Sequence, residues 1–290
     1  MEIIVAQNIG FCFGVERAYN LSLQALKESQ DECQMLGNLV HNEKVISDLK
    51  EKGLEFVSSV DEVEKGTVII RAHGVADKVL EELKEKEVEI VDATCPLVKK
   101  AQFFAKELLN EKRKVVIIGE KDHAEVKAIN GAINNQGILI ESGQEINDGL
   151  NPDDPIGIVI QTTQDAQKTK IFLEEIKKKF KDVKIHETFC QAVSKRQDEV
   201  RELSNQVDFV LVVGSKTSAN TQRLIEIVSC EGKKVYGVED RKDINHSWFN
   251  KDTKVGLISG TSAPGWLINE IVKELELIKE SYEKKSQEEN

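Results

Sequence analysis

Three cysteines of this chain stand in the same local context. Cys12-Phe-Gly-Val15-Glu-Arg17, Cys95-Pro-Leu-Val98-Lys-Lys100 and Cys190-Gln-Ala-Val193-Ser-Lys195 all read Cys-x-x-Val-x-basic. Each opens a stretch with apolar residues at helical spacing, so each sulfur is expected at or near a helix N-terminus. The partial positive charge there favours thiolate over thiol. Three thiolates suit one metal centre. Structural zinc prefers four protein ligands, and the sequence holds no fourth matched cysteine. A [4Fe–4S] cluster held by three cysteines keeps one iron without a protein ligand, available as a Lewis acid. Cys33 and Cys230 fall outside the repeated context and are read as ordinary thiols.

A second set of polar residues recurs at matching positions. His41, His123 and Ser218 each lie four residues past a glycine that ends an apolar run, and Glu43, Glu125 and Asn220 lie two residues further on. His73, Thr162, Thr163 and Ser262 follow three other apolar runs. Small neighbours such as Gly214, Ala219, Gly260 and Ala263 let backbone N–H groups approach a ligand. Short donors gathered in this way fit an anion with several oxygens, such as a phosphate or diphosphate. No Gly-x-x-x-x-Gly-Lys-Ser/Thr loop is present, which removes the usual nucleotide triphosphatase reading. Glu125 is the acid/base candidate, because a carboxyl enclosed beside an anionic ligand is shifted toward its protonated form. His186 and His246 are read as structural or solvent-facing.

The elements that must carry these residues repeat about every ninety positions. Strand-like runs precede the three cysteines at Ile3-Ile4-Val5, Val88-Glu-Ile90-Val91 and Val183-Lys-Ile185. After each cysteine helix comes a strand ending in glycine: Cys33-Gln-Met-Leu36, Val115-Val-Ile-Ile118 and Phe209-Val-Leu-Val-Val213. Cys12 lies 25 residues before Gly37, while Cys95 and Cys190 each lie 24 before Gly119 and Gly214. A closing strand then runs into a polar loop: Val68-Ile-Ile70 into Arg71-Ala-His73-Gly74, Ile156–Ile160 into Gln161-Thr162-Thr163, and Val255–Ile258 into Ser259-Gly-Thr-Ser262. Final helices are expected to end near Glu87, Phe180 and Lys279. Alternating strands and helices favour parallel sheets, with ligands at the strands' carboxyl ends. The expected fold is α/β. It has three pseudo-threefold-related units with small, mostly parallel sheets around a central iron–sulfur site: 1–95, 96–190 and 191–281. Residues 282–290 are read as a charged, frayed tail.

The formal charge is −11, and no Lys/Arg-rich block stands apart from acidic neighbours, so the expectation is no nucleic-acid partner. No basic-flanked leader is seen at Met1, and no apolar run reaches the roughly 18 residues that span a bilayer. These features are read as no membrane association and a cytoplasmic setting. There thiols stay reduced, and an odd cysteine count argues against a disulfide framework.

Taken in order, Gly10-Phe-Cys12-Phe-Gly-Val15, Leu39-Val-His41-Asn42, Arg71-Ala-His73-Gly74-Val75, Asp92-Ala-Thr-Cys95-Pro96, Asp122-His123-Ala-Glu125, Gln161-Thr162-Thr163, Cys190 and Gly214-Ser-Lys-Thr-Ser218-Ala-Asn220 resemble the 4-hydroxy-3-methylbut-2-enyl diphosphate reductase family. The resemblance runs from Met1 to about Lys279. It implies a three-unit trefoil around one oxygen-sensitive [4Fe–4S] cluster and reductive loss of an allylic hydroxyl, with isopentenyl and dimethylallyl diphosphate as products. It implies Cys12, Cys95 and Cys190 as cluster ligands. His41, His73, His123, Ser218, Asn220 and Ser262 match its diphosphate-binding positions. Thr162 matches the threonine near the substrate hydroxyl, with Thr163 beside it, and Glu125 matches the proton donor. An electron donor of ferredoxin or flavodoxin type is implied as partner. The chain departs from the family at Ala219, where serine is common and only the backbone N–H remains, and in the loop from Ser259 to Pro264. Rival readings are another three-cysteine iron–sulfur enzyme such as quinolinate synthase, a non-enzymatic iron–sulfur redox sensor, and a zinc hydrolase.

Overall fold

A computed structural model describes residues 1–29, 31–141 and 150–288, with side chains as far as residue 284. The chain runs β1 (Glu2–Val5), α1 (Phe13–Glu28), β2 (Cys33–Leu36), α2 (Glu43–Glu51), β3 (Glu55–Val57), β4 (Thr67–Ile70), α3 (Asp77–Lys84), β5 (Glu89–Asp92), α4 (Pro96–Asn110), β6 (Lys114–Ile118) and α5 (Ala124–Gly131). It continues through β7 (Ile138–Ile140), β8 (Pro155–Ile160), α6 (Ala166–Lys179), β9 (Asp182–Ile185), α7 (Gln191–Ser204), β10 (Phe209–Val213), α8 (Ala219–Cys230), β11 (Lys234–Val238), β12 (Lys254–Ser259) and α9 (Gly265–Glu288).

Among the described residues the strands form three four-stranded sheets, ordered β1-β12-β10-β11, β5-β4-β2-β3 and β9-β8-β6-β7. Every pairing is parallel. Central strands are continuous apolar runs with both faces covered, as in Phe209–Val213, where all five residues are buried. Cysteine-preceding strands are edge strands, and their partial exposure matches their mixed composition. In each sheet that edge strand pairs with the closing strand.

Three expectations are corrected. Strand β1, read with span 1–95, pairs through Glu2–Val5 with Lys254–Leu257 and so joins the sheet of the third repeat. Each sheet also has a strand missed in the sequence reading (β3, β7 and β11), because these outer strands are short or interrupted by glycine and tyrosine. Finally, the tail expected from Tyr282 is helical through Glu288, while residues 289–290 lie outside the described part. Its Lys, Glu and Gln residues are good helix formers, and the Tyr282 hydroxyl donates to the Phe249 carbonyl at 2.8 Å.

The described chain divides into two compact units. One comprises Met1–Cys12, His41–Val45 and Gln191–Asn290, and the other Phe13–Val40 and Ile46–Cys190. In the first, α7 packs Leu203 onto Gly256 of β12, where a Cβ would come within 2.8 Å of Leu203 Cγ. In the second, α4 does the same with Leu108 over Gly157 of β8, again at 2.8 Å. These glycines let the cysteine-led helices lie close to the closing strands. The second unit holds two sheets. Gln102 of α4 ties the loop after β4 to α5 by donating to the Val75 carbonyl at 3.0 Å and the Ala128 carbonyl at 3.1 Å. Gly131 sits against Ala76, with no room for a side chain.

Candidate active site

Each closing strand runs into a turn of the same build. In residues 71–74, 161–164 and 260–263 the fourth N–H donates to the first carbonyl, at 3.0, 3.1 and 3.4 Å. The second carbonyl of each turn accepts the backbone N–H of one cysteine: Ala72 from Cys95 at 2.9 Å, Thr162 from Cys190 at 3.1 Å, and Thr261 from Cys12 at 3.1 Å. Helices α1, α4 and α7 begin one residue after these cysteines. Helix start, cysteine backbone and strand-end turn are therefore locked together three times over. The third residues of the turns are His73, Thr163 and Ser262. All three cysteines are partly exposed, and none is in a disulfide.

In the unit that holds Cys95 and Cys190, the turn at 71–74 brings His73 to His123, with ring centroids 5.3 Å apart in an edge-to-face arrangement. His123 is also the N-cap of α5, its Nδ1 accepting the Glu125 N–H at 3.2 Å. That cap turns Glu125 inward, where it is 2% exposed. Thr162 meets its carboxyl with two donors: the backbone N–H reaches Oε1 at 2.6 Å and the hydroxyl reaches Oε2 at 2.9 Å. Both hydrogen bonds favour the carboxylate, but desolvation by burial outweighs them and pushes the Glu125 carboxyl up to about 7. Thr163 Oγ1 accepts from Gln161 Nε2 at 2.8 Å.

The unit that holds Cys12 gathers the remaining candidates. Ser218 is the N-cap of α8, accepting the Thr221 N–H at 3.4 Å. Asn220 is buried behind it, with neither amide atom hydrogen-bonded, and the buried Ser262 hydroxyl is likewise without a partner. Buried polar atoms of this kind ordinarily have partners, and a ligand with acceptor oxygens could take up the donors among them, Asn220 Nδ2 at the start of α8 and the Ser262 hydroxyl in the turn after β12. Ala219 is the first residue of α8 and partly buried. His41 lies in the loop before α2. Asn42, not His41, caps that helix, accepting the Lys44 N–H at 3.0 Å and donating to the Ser262 carbonyl at 2.8 Å. The first repeat has one extra loop residue here, so Glu43 is not the counterpart of Glu125. It is exposed at the helix start.

The family described as LytB protein matches residues 3–276. The chain belongs to the LytB family. A relative from Syntrophotalea carbinolica named 4-hydroxy-3-methylbut-2-enyl diphosphate reductase is 39% identical over 272 residues, covering 94% of this chain and 97% of its own. A solved structure of (E)-4-hydroxy-3-methyl-but-2-enyl diphosphate reductase, described as the terminal enzyme of the non-mevalonate pathway, is 36% identical with a TM-score of 0.71, covering 95% of this chain and 99% of its own. The Plasmodium falciparum E-1-hydroxy-2-methyl-but-2-enyl-4-diphosphate reductase is 25% identical with a TM-score of 0.87, covering 94% and 87%.

Within this LytB-family chain, three structural supports of the site escaped the sequence reading. Gln161, fully buried, holds Thr163. Arg196 of α7 holds the loop before Cys12, donating to the Gly10 carbonyl at 2.6 Å and the Ser259 carbonyl at 3.1 Å. Asn42 caps α2. Asn42 had a usable signal, a favoured cap residue just before a helix. Gln161 and Arg196 had only their places beside the threonine pair and the repeated basic residue. Burial, with a smaller contribution from Glu89, pushes the Cys33 thiol up to about 11, and Cys230 is exposed at the end of α8. His186 stacks on Phe104 at 3.9 Å, and exposed His246 faces Glu274 at 3.2 Å.

Proposed function

We propose that this chain reductively removes the allylic hydroxyl of 4-hydroxy-3-methylbut-2-enyl diphosphate, giving isopentenyl and dimethylallyl diphosphate. Cys12, Cys95 and Cys190 would hold one [4Fe–4S] cluster, and the repeats 1–95, 96–190 and 191–281 would share that centre. The donor set supports the assignment. All three are partly exposed thiols at helix starts, each with its backbone pinned to a strand-end turn. When bound, such a cluster supplies electrons singly and Lewis acidity toward the hydroxyl oxygen.

The observation that carries the reading is the Glu125–Thr162 pair. A backbone N–H can only donate, so the Thr162 N–H fixes Glu125 Oε1 as an acceptor. The acidic proton therefore belongs on Oε2, which faces the Thr162 hydroxyl. A hydroxyl both accepts and donates, so it can take that proton and pass its own to a substrate oxygen. Loss of the hydroxyl as water consumes two electrons and two protons, one for the departing oxygen and one for carbon. Burial keeps Glu125 protonated over part of the neutral range, as a donor requires. His41, His73, His123, Ser218, the Ala219 N–H, Asn220, Thr163 and Ser262 are assigned to the diphosphate, whose oxygens suit their donors and which fixes the reacting end. The electrons would come from a ferredoxin or flavodoxin. No helix among the described residues is long and apolar enough to cross a membrane, and a cytoplasmic setting fits a chain that needs reduced thiols.

Anaerobic protein carrying iron and sulfide should convert the allylic diphosphate to both products when supplied with a reduced dye. Cluster-loaded protein that leaves this substrate unchanged would overturn the assignment.

A further inference from the structure

Gln161 is fully buried at the end of β8, beside the acid but touching neither of its oxygens. Its Oε1 accepts the Glu120 N–H at 2.9 Å and the Gln164 Nε2 at 3.3 Å, while its Nε2 donates to Thr163 Oγ1 at 2.8 Å. The Glu120 N–H can only donate, so the amide's orientation is fixed and its NH2 must face Thr163. A hydroxyl that accepts this N–H keeps its own proton for another acceptor.

The surroundings are built for this side chain. At Gly119 a Cβ would lie 2.7 Å from both Gln161 Cβ and Gln161 Oε1, so the glycine is what admits it. Residues 119–123 lead into α5 and Glu125, whereas residues 161–164 form the turn that carries Thr162 and Thr163. Gln161 is a covalent part of the second segment and hydrogen-bonds to the first. It thereby fixes the spacing at which the two Thr162 donors meet the two Glu125 oxygens. The corresponding residue of the first repeat, Arg71, packs on Gly37 in the same way, with its Nη1 2.6 Å from where a Cβ would be, but no acid is supported there. A glutamine at this place is therefore specific to the repeat that carries the proton donor.

We propose that Gln161 is a positioning residue that holds the Thr162–Thr163 turn against the Glu125 loop, acting on turnover through the alignment of Glu125 with Thr162. This rests on the reading of Glu125 as proton donor, and the test separates the two. Gln161→Ala and the volume-preserving Gln161→Met are compared with the parent as anaerobic, cluster-loaded enzyme, in the wild-type and Glu125→Gln backgrounds. In the wild-type background each should lower kcat on the order of 10- to 100-fold, as misplacement of reacting groups by about 1 Å does, while KM rises only a few-fold through the loosened Thr163. In the Glu125→Gln background the same changes should alter the residual kcat less than about twofold, since the acid they position is gone. A general structural role would lower kcat equally in both backgrounds, and that result overturns the proposal. So does wild-type kcat in Gln161→Met beside an inactive Glu125→Gln. Full turnover by Glu125→Gln alone would instead overturn the proton-donor reading itself. Should Gln161→Ala not fold, Gln161→Met, which keeps the packing on Gly119, decides.

Discussion

At Glu125, burial and hydrogen bonding act in opposite directions, and burial wins. The carboxyl is 2% exposed and held by two donors from one residue. Burial, against those two donors, retains its proton toward neutrality, and on the protonated acid the Thr162 hydroxyl turns to accept that proton and can relay it. Glu125→Gln keeps the shape and both Thr162 contacts but has no acidic proton. Turnover should fall on the order of 10²- to 10⁴-fold while the cluster spectrum and substrate binding persist, as checked by single-turnover kinetics and titration. In the wild type, kcat should decline as pH rises through about 7, where the donor loses its proton. The same group ties stability to pH. Its folded value lies above the ordinary value of 4.5, so its stabilising contribution is fully present at low pH and is lost as pH rises through about 7. Wild type and Glu125→Gln should therefore unfold alike near pH 4, and the variant should be more stable by up to about 3 kcal/mol at pH 8. Chemical denaturation at both pH values measures this. The sequence showed that Glu125 belonged near the histidines, because a repeat position marked it. It did not show Thr162 as partner, since the two residues lie 37 positions apart and meet only because β6 and β8 pair.

At the scale of elements, glycines and caps place the chemistry. Gly119 adopts an ordinary backbone conformation, so its cost on substitution is one of space. A methyl there would meet Gln161 and Val126 at 2.7 Å. Gly119→Ala should destabilise by about 1–3 kcal/mol and lower activity as well, whereas Gly232→Ala, with no atom within 4 Å, should cost only the strain of its φ of +72° and leave kcat unchanged. Thermal denaturation and turnover separate these outcomes. Helix α9 shows where composition misleads. Its Lys- and Glu-rich end suggested fraying, yet Tyr282 packs against the core of its unit and bonds to Phe249. Tyr282→Phe should lower stability by about 1 kcal/mol without affecting turnover. Central strands were legible as apolar runs. The outer strands β3, β7 and β11 were not, because three to five residues at a sheet edge show little periodicity.

For the molecule as a whole, the threefold repeat is the feature the sequence carried most plainly. Each repeat's cysteine, glycine and closing-strand turn recur, and each recurrence corresponds to one parallel sheet with the same strand order. What the repeat alone could not give is where the first strand pairs. Its Glu2–Val5 run completes the sheet of the last repeat, and the Cys12 N–H consequently bonds to Thr261, at the far end of the chain. Both ends of the sequence are thus needed to hold one cysteine in place. The central claim, that three cysteines serve one cluster with a single iron lacking a protein ligand, is tested most directly by Mössbauer spectroscopy of ⁵⁷Fe-loaded protein prepared without oxygen. One subsite distinct from the other three, and altered alone when the allylic diphosphate is added, is the expected spectrum. Four equivalent irons that do not respond to the diphosphate, or zinc in place of iron and sulfide, would contradict it.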